Sequence, residues 1–377
     1  MFAAITPALA IGAAAERGRM LPCVVFIFVW ATLVYDPIAC WTWNPNGWVA
    51  QMGGLDFAGG TPVHISSGAA ALAYAMMLGK RYGHGTPELN YRPHNVTHVI
   101  IGTIFLWFGW FGFNGGSAVG SNLRATMACV VTNLAASVGG FTWVLVDYRL
   151  ERKWSAVGWC SGAIAGLVAI TPGSGFVPSW AAVIFGVCAG IACNYATKMK
   201  FLLGIDDSLD IFAVHAIGGA VGNLLTYITP YPPPRLSIFL YSLMGLTLGR
   251  GIFAADYIAA LDGTVIPGGW INRNWIQLAH QATDSITGFS YSFGMTCIIL
   301  FVMNLIPGLS LRASEDAEIQ GIDEAELGEF AYDFVEKERD YVHLPDPFEG
   351  GMSPIMGSVG SGSREDPLEK EDNRKKT

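Results

Sequence analysis

Two histidines lie in apolar stretches of this chain, and their surroundings are alike. His64 belongs to the stretch LDFAGGTPVHISSG, and His215 belongs to the stretch LDIFAVHAIGG. An ionisable side chain at membrane depth costs several kcal/mol, so it rarely occurs there without a partner or a pathway. A neutral imidazole donates through one ring nitrogen and accepts through the other, so two in contact could pass a proton or orient a small polar solute. The pattern points to a pore or transporter with a polar site between the halves of an internal repeat.

Each of these polar residues also has a structural interpretation. A core histidine can hydrogen-bond a helix carbonyl, but burial penalises an unpaired imidazole, which favours the pore-lining interpretation for His64 and His215. Asp56 lies just before the helix start at Pro62, where a carboxylate can cap backbone N–H groups. The same carboxylate could attract a cation. We expect bracing to be the main role of Asp56, with an electrostatic contribution.

Aromatic residues are dense around the expected path. Trp41, Trp43 and Trp48 end the second apolar run, and the run WFGWFGFN contains Trp110 and Phe113. An interfacial aromatic belt explains Trp48 and part of the rest. The alternative is a cation–π recruitment site with a ring constriction behind it. Glycines between the rings of WFGWFGFN favour the recruitment site, because they allow close packing of helices.

The apolar runs define the class of protein. The chain has 377 residues, of which 52% are hydrophobic and 14% are charged. Soluble domains carry about 25% charged residues, and a helix needs roughly 20 apolar residues to cross a bilayer. The sequence therefore predicts an all-α polytopic membrane protein with nine spans, at 2–15, 20–43, 62–79, 95–117, 122–148, 155–170, 178–197, 208–226 and 285–306.

Charge gives the orientation and the domain boundaries. With residues 227–250 set aside, threading the spans alternately places ten basic residues on one side and only Arg124 and Arg273 on the other, so the basic side is expected to be cytoplasmic. Residues 313–377 hold 18 acidic and 7 basic residues, whereas the rest of the chain holds 12 and 15. The acidity belongs to a tail on the cytoplasmic side. We expect a transmembrane domain over 1–310, a regulatory tail over 311–344 and a disordered tail over 345–377.

Several classes of function find no support in the sequence. The seven cysteines lie in apolar runs without CxxC pairs, so neither a disulfide framework nor a metal site is expected. The charge distribution gives no indication of nucleic-acid binding. No signal peptide precedes the first span, since residues 1–15 lack a basic segment. No cofactor is expected.

At this point the sequence resembles the Amt/Mep/Rh ammonium transporter family, and most closely its fungal Mep-type permeases. The resemblance covers nearly the whole chain except 227–250 and the last thirty or so residues. The stretches that carry it are FAAITPALAIGAAAER, LDFAGGTPVHISSG, WFGWFGFNGGSA, CSGAIAGLVAITPGSG, DDSLDIFAVHAIGGAVGN and LRASEDAEIQGIDEAELGEFAY.

The resemblance implies a fold, a path and a mechanism. It implies an ammonium-transporter fold with inverted repeats and a pore in each subunit of a plasma-membrane homotrimer. By resemblance, His64 and His215 correspond to the twin histidines, Phe2 and Phe113 to the phenylalanine gate, Trp43 and Ser117 to the outer cation site, and Asp56 to the carboxylate beside it. Ammonium or methylammonium would be recruited and deprotonated, and ammonia would pass the histidines.

Two departures from the family pattern stand out. The family's first two helices have no counterpart before Phe2, so we expect one pore wall to be open to lipid, and a truncated gene model is the explanation we favour. Residues 227–250, which read YITPYPPPRLSIFLYSLMGLTLGR, form an atypical insertion. Deleting them restores the family's LLTGIFAA pattern, which suggests a translated retained intron.

The tail and the competing functions complete the expectations. Ile319, Ile322, Leu327 and Phe330 are candidate docking contacts, and Ser353, Ser358, Ser361 and Ser363 are candidate sites for a kinase.

The leading function is transport of ammonium for nitrogen utilisation. The alternatives are an ammonium sensor that signals through the tail, an inactive fragment of a transporter and a membrane-embedded enzyme. The last is disfavoured because neither histidine has a suitably placed serine.

Overall fold

The apolar runs fold into helices whose bounds lie close to the predicted spans. The structure is a computed structural model that describes residues 1–86, 89, 93–227, 261, 263 and 276–329. The 228–250 part of the atypical insertion lies outside the described residues, as do Phe330, the four serines and the tail beyond it. Within the described part, the chain forms helices and connections, with a single isolated β-bridge between Gly18 and Arg312.

Helices α1 to α6 make up the first half of the described chain. A 3₁₀ turn at Gly12–Ala14 follows α1, and a π-helical turn at Ala31–Tyr35 joins α2 to α3. A π-helical turn at Gly60–Ile65 precedes α5, and another at Phe111–Gly115 follows α6. The helices are α1 (Phe2–Ile11), α2 (Met20–Trp30), α3 (Asp36–Trp43), α4 (Trp48–Met52), α5 (Ser66–Leu78) and α6 (Val96–Trp110).

Helices α7 to α13 make up the second half. A π-helical turn at Phe212–Ile217 precedes α11, and another at Asp323–Leu327 follows α13. The helices are α7 (Leu123–Glu151), α8 (Ala156–Ile170), α9 (Ser179–Ala196), α10 (Met199–Leu203), α11 (Gly218–Tyr227), α12 (Ile276–Leu305) and α13 (Glu315–Gln320).

The helical lengths confirm a multi-pass membrane fold. Five stretches of the described chain are long and apolar enough to cross a bilayer, and three shorter apolar helices accompany them. Helix α12 begins at Ile276, nine residues before the predicted start at 285. The prediction missed this first part because polar residues lower its hydropathy. Two of these polar residues, Gln277 and Gln281, are buried and donate to the carbonyl oxygens of Gly53 and Leu55 in the connection after α4.

Small residues let α7, α8 and α9 approach closely, whereas an added Cβ atom at Gly109 or Gly112, the glycines between the aromatic rings, would meet open space, contrary to the close packing predicted there. A Cβ atom at Gly162 of α8 would collide with the carbonyl oxygen of Gly139 on α7, and one at Gly190 of α9 would come within 2.9 Å of the same oxygen. Two large clusters of buried apolar side chains result. One lies around α7, α8 and α9, and the other lies among α1, α2, α5 and α12. Phe113 packs against both clusters and so lies between the two halves of the bundle.

Candidate functional site

A carboxylate fixes the start of the helix that carries His64. Asp56 accepts hydrogen bonds from the backbone N–H groups of Gly59, Gly60 and Thr61, at 2.7, 2.8 and 2.8 Å. Gly59 has a φ of 115°, a conformation that side chains other than glycine rarely adopt. The buried Asp56 therefore gathers the exposed donors of a helix start, and the π-helical turn places His64 in the interior.

The same arrangement occurs before His215. Asp207, eight residues before His215, accepts from the N–H of Phe212 at 2.8 Å, and so corresponds to Asp56, which lies eight residues before His64. Asp210, which follows Leu209 in the stretch that is similar to the one around His64, instead faces Lys200 at 2.8 Å. The Leu-Asp dipeptide that the two stretches share therefore does not mark equivalent caps, because the cap depends on distance along the chain from the helix.

The two capped segments run antiparallel and bring the histidines together. The Nδ1 atoms of His64 and His215 lie 3.1 Å apart, and both side chains are buried. One shared hydrogen between two Nδ1 atoms requires one ring to donate and the other to accept, so two neutral rings carry opposite tautomers. One Nε2 atom is then a donor and the other an acceptor. Nε2 of His64 is buried and has no hydrogen-bond partner.

Aromatic rings continue the line of the histidines. His64 stacks against Trp110 at 5.3 Å and against Phe113 at 5.8 Å between ring centroids. Phe113 lies 4.2 Å from Phe2, and Phe2 lies 5.7 Å from Trp43. A continuous series of rings thus runs from Trp43 to the histidine pair.

Hydrogen bonds hold the polar edges of these rings. Trp43 Nε1 donates to the carbonyl oxygen of Asp56 at 2.9 Å, and Trp110 Nε1 donates to the hydroxyl of Thr171 at 2.9 Å. The Ser117 hydroxyl donates to the carbonyl oxygen of Phe113 at 2.8 Å. Asp56 therefore positions both the His64 segment and Trp43. The eight residues that the sequence predicted along the solute path all belong to this one connected arrangement. They are Phe2, Trp43, Asp56, His64, Trp110, Phe113, Ser117 and His215.

A mainly apolar cavity of about 960 Å³ reaches the histidine pair. Its lining includes His64, His215, Phe2 and Phe113, together with Met1 and Phe105, which are both exposed. The cavity therefore opens between α1 and α6 at the side of the bundle. A small neutral solute could reach the imidazole nitrogens there without meeting a charged side chain among the residues that line the cavity.

Polar residues on α12 also support the site, and sequence reasoning missed them. Thr61 Oγ1 donates to Asp284 at 2.5 Å, and Ser292 Oγ donates to the carbonyl oxygen of Ser66 at 2.6 Å. Their positions follow helical spacing and could have been found as a polar stripe. The stripe consists of Gln277, Gln281, Asp284, Ser292 and Thr296, all buried.

Charged residues join the loops at the opposite end of α5 from Asp56. Burial alone would raise the pKa of Asp206, but hydrogen bonds from Arg81 and the charges of Arg81 and Arg17 lower that pKa to about 2. Burial and the charge of Asp210 raise the pKa of the neighbouring Asp207 to about 6, against the effect of the Phe212 N–H. This end therefore contains one strongly ionised carboxylate beside one that titrates near neutral pH.

The tail packs on the same loops through polar contacts. Glu326 lies 3.4 Å from Arg19, and Glu318 accepts from the backbone N–H of Tyr82 at 3.0 Å. The expected apolar docking contacts differ from this arrangement, since Ile319 and Leu327 are exposed. Acidic side chains at the start of short helical turns favour charge pairing with the basic loops over burial of isolated apolar residues.

These features indicate the class of protein to which the chain belongs. Buried histidines between two antiparallel, carboxylate-capped helices of a multi-pass bundle are the architecture of a membrane transporter. The sequence matches the Ammonium Transporter Family over residues 1–332, and the chain belongs to this family.

The relatives with the same fold are ammonium transporters. Ammonium transporter 1 of Schizosaccharomyces pombe is 58% identical over 334 residues, covering 88% of this chain and 62% of that protein. Ammonium transporter MEP2 of Saccharomyces cerevisiae is 46% identical, covering 94% and 67%. The crystal structure of Candida albicans Mep2 matches with a TM-score of 0.75 and 48% identity, covering 91% and 71%. The chain thus spans about two thirds of the length of these relatives.

Proposed function

We propose that this protein moves ammonium across the plasma membrane by recruiting the cation, removing its proton and passing ammonia beside His64 and His215. The observation that carries the proposal is the buried histidine pair, with Nδ1 atoms 3.1 Å apart, at the end of a series of aromatic rings. Relatives at 43–58% identity are named as ammonium transporters.

The rings select the form of the solute in this proposal. The face of an indole attracts a cation, so Trp43 and the nearby Ser117 would recruit ammonium. Phe2 and Phe113 lie 4.2 Å apart beyond Trp43 and offer no hydrogen bond to replace the hydration of an ion. Ammonia, which is neutral and small, loses much less on leaving water. The Phe2 and Phe113 rings, whose planes are inclined by 35°, therefore favour the deprotonated solute.

The histidines then replace the hydrogen bonds that ammonia loses. Ammonia can both donate and accept, and the opposite tautomers of His64 and His215 present one acceptor and one donor nitrogen. Trp110 stacks on His64 and is held by Thr171, which fixes the ring plane. Asp56 braces the same segment and adds negative charge behind Trp43.

The proposal includes an arrangement in the cell. The chain would form a homotrimer with its C-terminus in the cytoplasm, with a transporter domain over 1–310 and a tail that a kinase modifies. The contact of Glu326 with Arg19 supports a tail on the basic side. A sensing role is not favoured, since relatives at 58% and 49% identity are named as ammonium transporters.

Uptake of labelled methylammonium tests the proposal. The chain is expressed in yeast that lacks its own ammonium permeases, and uptake is compared at matched membrane abundance. We expect uptake by the wild-type chain and its loss in His64→Ala and His215→Ala. His98→Ala, which alters an exposed histidine on α6, is the matched control. Equal uptake by all three variants would contradict the proposed path.

A further inference from the structure

A carboxylate on α12 lies deep in the bundle and does not line the proposed path. Asp284 is 2% exposed and lies in the first third of a helix of 30 residues that is long enough to span a membrane. A charged aspartate at the centre of a membrane-spanning helix costs about 2.5 to 3.5 kcal/mol in insertion measurements. The side chain is therefore expected to be paired, or to be neutral.

The contacts of Asp284 link it to Asp56. Thr61 donates its hydroxyl to Oδ2 of Asp284 at 2.5 Å and its backbone N–H to Oδ2 of Asp56 at 2.8 Å. Asn223 donates to the same Thr61 hydroxyl at 2.7 Å and to Ser285 at 2.9 Å. One residue thus connects two buried carboxyl groups.

Charge decides which of the two carboxyl groups is ionised. Asp56 accepts three backbone N–H groups at the start of a helix, where a negative charge is stabilised. Asp284 is bound by one neutral hydroxyl, and the charged group that acts on it is Asp56 itself. Two neighbouring carboxyl groups in a site of low dielectric are not both ionised. The proton therefore belongs on Asp284.

Among the described residues, two buried acceptors without donors belong to side chains that adjoin this cluster, Asn223 through its hydrogen bond to Thr61 and Gln281 one turn before Asp284 on α12. Oδ1 of Asn223 and Oε1 of Gln281 are buried and lack hydrogen-bond partners. A carboxylate would add another acceptor to this cluster, whereas a carboxylic acid adds the donor that the cluster lacks. An additional donor is favoured because each buried acceptor that stays unsatisfied costs about 1 to 3 kcal/mol.

We infer that Asp284 carries a proton, so that Asp56 remains the negative charge beside Trp43. Asp284 is a positioning residue in this scheme, because it acts on the path through Thr61. The inference rests on the proposed function for its effect on transport. The protonation itself is independent of transport.

Three other titratable groups face this cluster from neighbouring elements. Asp56 lies on the loop before the π-helical turn, His64 lies three residues after Thr61 in that turn, and His280 lies one turn before Asp284 on α12. Nδ1 of His280 is buried without a partner. A spectroscopic signal from the Asp284 carboxyl group must therefore be distinguished from the titration of these groups. Substitution of Asp284 itself makes this distinction.

Infrared spectroscopy of the purified full chain tests the inference. A protonated carboxyl group has a C=O stretching band that a carboxylate lacks. Near neutral pH, we expect this band in the wild-type protein and its loss in Asp284→Asn. Asp284→Glu should shift the band rather than remove it, which keeps the test open if the amide variant fails to fold. Asp316→Asn, at an exposed carboxylate of α13, is the matched control and should leave the band unchanged.

Uptake measurements separate this inference from the proposed function. Asn resembles a neutral acid in shape, so Asp284→Asn should retain methylammonium uptake, because Asp56 keeps its charge and its three N–H donors. Identical band intensities in wild type and Asp284→Asn would overturn the inference, whether or not the chain transports. A chain that shows the band but no uptake would contradict the proposed function alone.

Discussion

Asp56 and Asp207 hold two helix starts with different numbers of hydrogen bonds. Both oxygens of Asp56 accept backbone N–H groups, whereas Oδ1 of Asp207 is buried without a partner. An ionised oxygen without a donor is unfavourable in a buried position. The two caps occupy corresponding positions, but only Asp56 is well adapted to carry a charge.

The asymmetry predicts opposite outcomes for the same substitution. Asp56→Asn replaces one accepting oxygen by an N–H₂ group that faces backbone donors, so we expect a loss of about 1 to 3 kcal/mol in the free energy of unfolding. Asp207→Asn can keep one oxygen on Phe212 and place its amide at the unpaired position. It should match or exceed the wild type at neutral pH. Thermal unfolding in detergent compares both variants.

The pH dependence of unfolding provides the control for Asp207. Its pKa is raised from 3.8 to about 6, so the folded state favours the protonated form. The stabilisation is complete below pH 3.8 and is lost as the pH rises through about 6, which amounts to about 3 kcal/mol. Asp207→Asn should remove this loss. A variant with the same pH dependence as wild type would contradict the assignment.

At the scale of the element, two glycines determine how closely the histidine segments approach. Gly68 and Gly219 each lie four residues after a histidine. A Cβ atom at Gly68 would collide with the backbone of Ala216, and one at Gly219 would lie 2.9 Å from the carbonyl oxygen of Gly60. These close approaches allow the 3.1 Å contact between the Nδ1 atoms.

Added methyl groups at these positions should separate the histidines. We expect Gly68→Ala and Gly219→Ala to lower methylammonium uptake strongly, because the backbone cannot yield as a flexible side chain would. Gly294→Ala, on α12, has open space at its Cβ position and is the matched control. The measurement is uptake at equal membrane abundance. Wild-type uptake in either histidine-segment variant would show that the close approach is not needed.

The elements also explain what the sequence could predict. The helices followed from apolar runs, and the histidine pair followed from two rare residues in similar stretches. The π-helical turn at Gly60–Ile65 did not follow, because it depends on backbone hydrogen bonds that Asp56 accepts and on a contact with α12. Asp284 was missed because it lies one residue before the predicted span at 285, where polar residues weaken the hydropathy signal.

At the scale of the whole molecule, Asp206 joins three loops at one end of the bundle. Its carboxylate accepts from Arg81 at 2.8 Å through both oxygens, and its carbonyl oxygen accepts from Arg17 at 2.6 Å. Arg17 in turn accepts the N–H of Ala313 through its backbone oxygen at 2.9 Å, which adds the start of the tail. Both Asp206 and Arg17 are almost completely buried, and the Arg17 guanidinium lies 4.0 Å from the Asp206 carboxylate, so Arg17 depends on Asp206 for compensation of its charge.

Removal of this one charge should therefore destabilise the whole bundle. Breaking a buried pair leaves uncompensated charge and costs about 3 to 5 kcal/mol, so Asp206→Asn should lower the free energy of unfolding by about that amount at neutral pH. Glu326→Gln, which removes the half-exposed pair with Arg19, should cost at most about 1 kcal/mol. Because the pKa of Asp206 is lowered from 3.8 to about 2, the wild-type contribution is complete above pH 3.8 and is lost as the pH falls through about 2. Thermal unfolding across this pH range should show that the wild type loses stability in acid, whereas Asp206→Asn does not show this loss. Equal stability of Asp206→Asn and Glu326→Gln would mean that the three loops are held by other contacts.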